Sequence, residues 1–180
     1  MHLHNNKYRI PSARLQTWDY SSDGVYFITI CTENMLHYFG RIIDQKMELN
    51  EIGKLAEQYW QEIPSHFSFI ELGSFIIMPN HMHGILIISK PGINESLPDP
   101  DTTPGQRRFR NPESGSVSSI VGSYKSIVSK KARLLFHSEF AWQPRFHDHI
   151  VRDPESFERI QNYIINNPAN WAADRFYGVS

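Results

Sequence analysis

The stretch Phe75-Ile-Ile-Met-Pro-Asn-His-Met-His-Gly-Ile-Leu-Ile-Ile88 constrains the fold of this chain more than any other. Its two short β-branched runs, Phe75–Ile77 and Ile85–Ile88, suit buried strands. Pro79 and Asn80 interrupt them, so the first run ends or turns there and the histidines open a second strand. Residues two apart in a strand share a face, which sets His81 and His83 side by side on one surface. Such a pair begins a divalent-metal site but does not complete one. Taken singly, a His-x-His is more often structural or solvent-facing than a ligand pair.

The rest of the chain supplies the surroundings. Val25–Thr32 reads as a buried strand, and residues 39–44 and 46–49 as a small hairpin. Asn50 caps a helix with Ile52, Leu55, Tyr59 and Ile63 at helical spacing, closed by Pro64. Residues 116–136 form a second helix whose stripe is Val117, Ile120, Val121, Tyr124, Ile127, Val128 and Leu135, with Lys125, Ser129 and Arg133 turned away. Residues 142–152 read as a last extended segment. Asp153-Pro154-Glu155 starts a final helix through Phe157, Ile160 and Ile164, which stops by Asn167 because Pro168 follows. The core order, β-α-β-β-α-β, predicts an α+β fold: a ferredoxin-like antiparallel sheet with helices packed on one side. A polar N-terminal arm over 1–23 and a proline-rich mobile loop over 90–115 complete a single domain of residues 1–180.

Composition narrows the function classes. One cysteine, Cys31, excludes an internal disulfide or a cysteine-rich zinc module and points to a reducing cytoplasm. No apolar run approaches the roughly 18 residues that a membrane helix needs. The net charge of -1 hides an asymmetry. Residues 103–133 carry seven Lys or Arg against Glu113 alone, whereas residues 40–75 carry more acids than bases. A basic segment of this kind accommodates a polyanion, although an ordinary solvated charge run explains the composition equally well.

On the final helix Tyr163 and Asn167 lie one turn apart. Asn167 falls at the border of the apolar stripe and Tyr163 just outside it. A half-buried amide there requires a hydrogen-bond or metal partner, and its carbonyl oxygen is a candidate third ligand beside His81 and His83. A tyrosine hydroxyl next to such a cation is a competent nucleophile toward phosphate. The plainer readings are a packed aromatic and a helix cap.

Met78-Pro-Asn-His-Met-His-Gly84, with residues 24–32, 142–152 and Tyr163-Ile-Ile-Asn-Asn-Pro168 in the same order, resembles the REP-associated tyrosine transposases of the single-tyrosine His-hydrophobe-His (HUH) superfamily. The resemblance spans most of the chain. It implies an HUH nuclease fold that cleaves and rejoins single-stranded DNA at REP-type hairpins. It further implies that His81 and His83 bind Mg²⁺ or Mn²⁺, that Asn167 takes the family's helical amide ligand position, and that Tyr163 is the nucleophile forming a 5′-phosphotyrosine link. Its setting would be the bacterial cytoplasm and nucleoid, as monomer or homodimer. Lys125, Lys130, Arg133, Arg107, Arg108 and Arg110 are the expected phosphate contacts, with Lys7, Arg9 and Arg14 in an arm that reads a tetranucleotide beside the hairpin. The second pair, His147 and His149, is expected to be no metal pair, but a possible aid to positioning DNA. A metal-dependent phosphodiesterase using activated water and a non-catalytic nucleic-acid-binding module stand as alternatives.

Overall fold

The structure, a computed structural model, describes residues 22–90, 115–174, 176 and 177. Its central strand is β1 (Gly24–Cys31), followed by a small ribbon of β2 (Gly40–Ile43) and β3 (Lys46–Leu49). The ribbon turns at Asp44 and Gln45, with φ of 47° and 61°, the paired left-handed geometry of a two-residue hairpin. Then come α1 (Glu51–Gln61), the single turn α2 (Ile63–His66), β4 (Ile70–Ile77) and β5 (His81–Ile88). The chain finishes with α3 (Val117–Leu135), β6 (His147–Val151) and α4 (Pro154–Asn166). The main sheet runs β4-β5-β1-β6 with every pairing antiparallel, the order of a ferredoxin-like fold. Among the described residues no helix is long and apolar enough to cross a membrane.

Strand alternation divides the chain's labour between the two sheet faces. Tyr26, Ile28, Ile30, Met82, Leu86 and Ile150 point to one side, where they join Trp60 of α1 and Val117, Ile120, Val121, Tyr124 and Val128 of α3 in the main core. Gly84 lies on this side as well. A Cβ there would sit 2.5 Å from Trp60 Cζ2, so the residue after the His pair has to be glycine for the indole to pack where it does. The α+β plan with helices on one side holds for α1 and α3. The last helix departs from it: α4 packs Ile160 and Ile164 against Ile85 and Val151 on the opposite face, with Phe27, Ile76 and Phe157 around them. That is the face of His81 and His83.

Local signals set the helix ends. Asn50 Oδ1 accepts the Gly53 N–H at 2.9 Å, Ser116 Oγ accepts from Ser119, and Asp153 Oδ1 accepts from Ser156 at 2.7 Å. Three expectations change. Pro64 does not close α1 but sits in the first turn of α2, where its missing N–H costs nothing. The buried stripe of α1 is Ile52, Ala56 and Trp60, with Leu55 and Tyr59 on its shoulder. Leu135 is 57% exposed, and Ala132 is the last buried residue of α3.

Candidate active site

The Met78–Asn80 turn between β4 and β5 is closed by the Met78 N–H on His81 O at 2.8 Å. It delivers both histidines onto the α4 face, almost entirely buried, with ring centroids 4.6 Å apart. Each imidazole is oriented through Nδ1. His81 Nδ1 lies 2.9 Å from Asn80 Oδ1, and the orientation of that amide is set because its Nδ2 donates to Phe176 O at 3.0 Å. A carbonyl oxygen only accepts, so His81 carries its hydrogen on Nδ1 and turns the Nε2 lone pair inward. His83 Nδ1 lies 2.8 Å from Thr29 Oγ1 on β1, and its Nε2 lies 3.2 Å from the hydroxyl of Tyr163.

The structure therefore brings together four residues singled out in the sequence: His81, His83, Tyr163 and Asn167. Tyr163 is 42% exposed, its ring edge-on to Phe27 and tilted against His83. Asn167 is more buried than its helical position suggested, only 1% exposed. Its Nδ2 donates to Asp174 Oδ2 at 3.1 Å, while its buried Oδ1 has no hydrogen-bond partner among the described residues. Asp174 is the residue that sequence reasoning missed. Beyond a 3₁₀ turn at Trp171–Ala173, its carboxylate returns to within 4.8 Å of the ligand nitrogens of His81 and His83. Its other oxygen accepts the Phe176 N–H at 2.8 Å, and the Phe176 ring lies tilted against His81 with centroids 4.5 Å apart. No spacing rule marks an aspartate arriving from an irregular segment.

Two imidazole nitrogens and a half-buried carboxylate lie within 4.8 Å of one another, and the Asn167 amide stands beside them through its bond to that carboxylate. That donor set fits a divalent cation. A phenol standing beside it on a partly open surface can reach an approaching phosphate.

The expected phosphate contacts divide. Lys7, Arg9, Arg14, Arg107, Arg108 and Arg110 lie outside the described residues, as do the arm and loop that carry them, apart from residues 22, 23, 90 and 115. Lys130 is exposed on α3. Lys125 and Arg133 are committed to backbone. Lys125 Nζ donates to Gln143 O at 2.7 Å and Pro144 O at 3.2 Å, and Arg133 Nε donates to Phe140 O at 2.7 Å. Partial burial lowers the Lys125 pKa, with Cys31 acting weakly the other way. Both cations, Lys125 half-buried and Arg133 exposed, tie the 140–144 connection to α3.

No family model matches the chain. A protein of Haemophilus influenzae, itself uncharacterised, is 39% identical over 170 residues, covering 92% of each chain. The two belong to one family. Among solved structures, a REP-associated tyrosine transposase bound to a REP hairpin superimposes with a TM-score of 0.55 at 16% identity, over 94% of this chain and 76% of that one. The fold is that of a REP-associated tyrosine transposase. A proposed transposase from Deinococcus radiodurans is more distant, with a TM-score of 0.46 at 12% identity over 88% of this chain and 97% of that one.

Proposed function

We propose that the protein is a metal-dependent tyrosine transposase that cleaves and rejoins single-stranded DNA at hairpins of the REP type, with Tyr163 as nucleophile. One observation carries the reading: the Tyr163 hydroxyl stands 3.2 Å from Nε2 of His83, a member of the His81–His83–Asp174 group. The transposase fold and the hairpin bound to the structural neighbour support it.

In this reading His81 and His83 would hold the cation, with Asn167 and Asp174 as the oxygen donors at hand. When bound, it polarises the scissile phosphate and draws charge from it. The Tyr163 oxygen attacks phosphorus, the bond from phosphorus to the 3′ oxygen breaks, and the phenolic proton passes by way of solvent to that departing oxygen. This gives a 5′-phosphate ester on Tyr163 and a free 3′-OH. Attack by a 3′-OH on the same ester reverses the step and joins strands, with the tyrosine as leaving group. Both directions conserve phosphodiester bonds, so no external energy source is required.

The test is covalent capture. Incubated with a hairpin oligonucleotide and Mn²⁺, the protein should yield a DNA adduct that survives denaturing electrophoresis. Tyr163→Phe should abolish the adduct while sparing DNA binding, and His83→Ala should abolish it too. An undiminished adduct in Tyr163→Phe overturns the assignment. Cleaved DNA without an adduct moves the reading to hydrolysis by activated water.

A further inference from the structure

Cross-strand partners on an antiparallel pair share a face, and the register of β1 connects two motifs that lie far apart in sequence. Thr29 pairs with His83 on one side and with His147 on the other, while Phe27 pairs with Ile85 and with His149. His147 and His149 thus lie on the His81/His83 face, two strands across, about 10 Å from the metal pair at the usual strand spacing. Asp148 alternates to the main-core face, paired with Ile28. Both histidines are exposed, on an edge strand of the sheet.

The rotation of α4 decides what faces them. Gln161 Nε2 donates to Ser74 Oγ on the β4 side at 3.4 Å. Arg159 and Tyr163 lie about 160° round the helix from Gln161, so they turn toward the β6 side. Tyr163 rests against Phe27, the cross-strand neighbour of His149. Arg159 is exposed, with its Nη2 on Ser156 Oγ at 3.3 Å. The β6 side of the tyrosine therefore presents two exposed imidazoles from the sheet and an exposed guanidinium from the helix.

We infer that His147 and His149, with Arg159 opposite, form the seat for the sugar–phosphate backbone of the DNA strand that reaches Tyr163. The inference rests on the transposase reading and adds the path of the substrate strand. An imidazole carries an N–H donor whether neutral or protonated, and a guanidinium fits phosphate oxygens in bidentate fashion, so this set suits a phosphodiester and no particular base. The strand enters over β6 and crosses Tyr163 before meeting the cation site on β5.

The experiment measures binding of a short fluorescent single-stranded oligonucleotide by anisotropy, in the Tyr163→Phe background to prevent cleavage. Adding His147→Ala with His149→Ala should weaken binding about tenfold, the loss expected for one or two phosphate hydrogen bonds. His147→Gln with His149→Gln should recover much of it through the amide donors. With Tyr163 intact, the alanine pair should raise the DNA concentration needed for half-maximal adduct formation and leave the rate at saturating DNA within about twofold, as loss of uniform binding requires. Thermal melting should be unchanged, since both side chains are exposed. Unaltered affinity in the alanine pair, with Tyr163→Phe itself binding DNA, overturns the inference alone. Absence of binding by Tyr163→Phe overturns the transposase reading and the inference with it.

Discussion

At the scale of single residues, the site is organised by which nitrogen of each imidazole is occupied. Asn80 and Thr29 both engage Nδ1, and they are almost wholly buried at 0% and 2% exposure. Such partners fix ring orientation ahead of any cation, the Asn80 carbonyl fixing the tautomer of His81 as well, and their loss typically costs 10- to 100-fold in metal affinity. Thr29→Val keeps the shape of the side chain and removes the hydroxyl. It should weaken Mn²⁺ binding by about that factor in calorimetry while leaving the fold intact by circular dichroism. The Tyr163 hydroxyl presents the opposite case. It sits on His83 Nε2, the atom a cation would take, so the two contacts exclude each other. Tyr163→Phe should therefore bind Mn²⁺ about three- to tenfold more tightly without DNA, by the net value of one hydrogen bond. Equal or weaker binding would show that the phenol does not compete for that nitrogen.

At the scale of elements, α4 matters most, because it carries the nucleophile and its start is set by one exposed side chain. Hydrogen bonds from the Ser156 backbone N–H and hydroxyl hold the Asp153 carboxyl below its ordinary range, with Arg159 nearby adding to the effect. A depressed folded-state pKa contributes stability that is present above the unfolded value and lost as pH falls through the folded one. Asp153→Ala should lower the melting temperature at neutral pH, and the gap to the native protein should close in acid below the usual carboxylate range. Asp153→Asn, which still caps, should lie close to the native protein at neutral pH. Caps of this kind are local, which is why the start of α4 and its stop near Asn167 were legible in the sequence. The stripe of α1 was harder to read. Leu55 and Tyr59 are as apolar as Ala56 and Trp60, and only the fit of the Trp60 indole over Gly84 decides which pair faces inward. Asp174 and the shared face of His81 with His147 were illegible for a related reason. One depends on where an irregular segment returns, the other on strand register, and neither leaves a periodic trace.

At the scale of the whole molecule, the sheet separates stability from chemistry. The α1/α3 face holds the large core cluster, while the α4 face holds a smaller one around Ile85, Val151, Ile160 and Ile164. Polar ties supplement that smaller packing: Gln161 to Ser74, Tyr163 to His83, and Asn167 to Asp174. A helix held this way should open at lower free energy than β1 or α3, since local stability follows buried apolar contact. A cation gripped by β5 on one side and by Asn167 or Asp174 on the other joins the helix end to the sheet. Binding to the folded state alone adds RT ln(1 + [L]/Kd), about 2.7 kcal/mol at a hundredfold excess over Kd. Mn²⁺ should accordingly raise the melting temperature of the native protein and leave that of His81→Ala with His83→Ala unmoved. In hydrogen exchange, protection gained from Mn²⁺ should concentrate in α4 and residues 167–174, while β1 and α3 stay as they were. Uniform protection across the sheet would mean that the cation stabilises only global folding. No gain in α4 would mean that the two histidines hold it without help from the helix, leaving Tyr163 uncoupled from the metal.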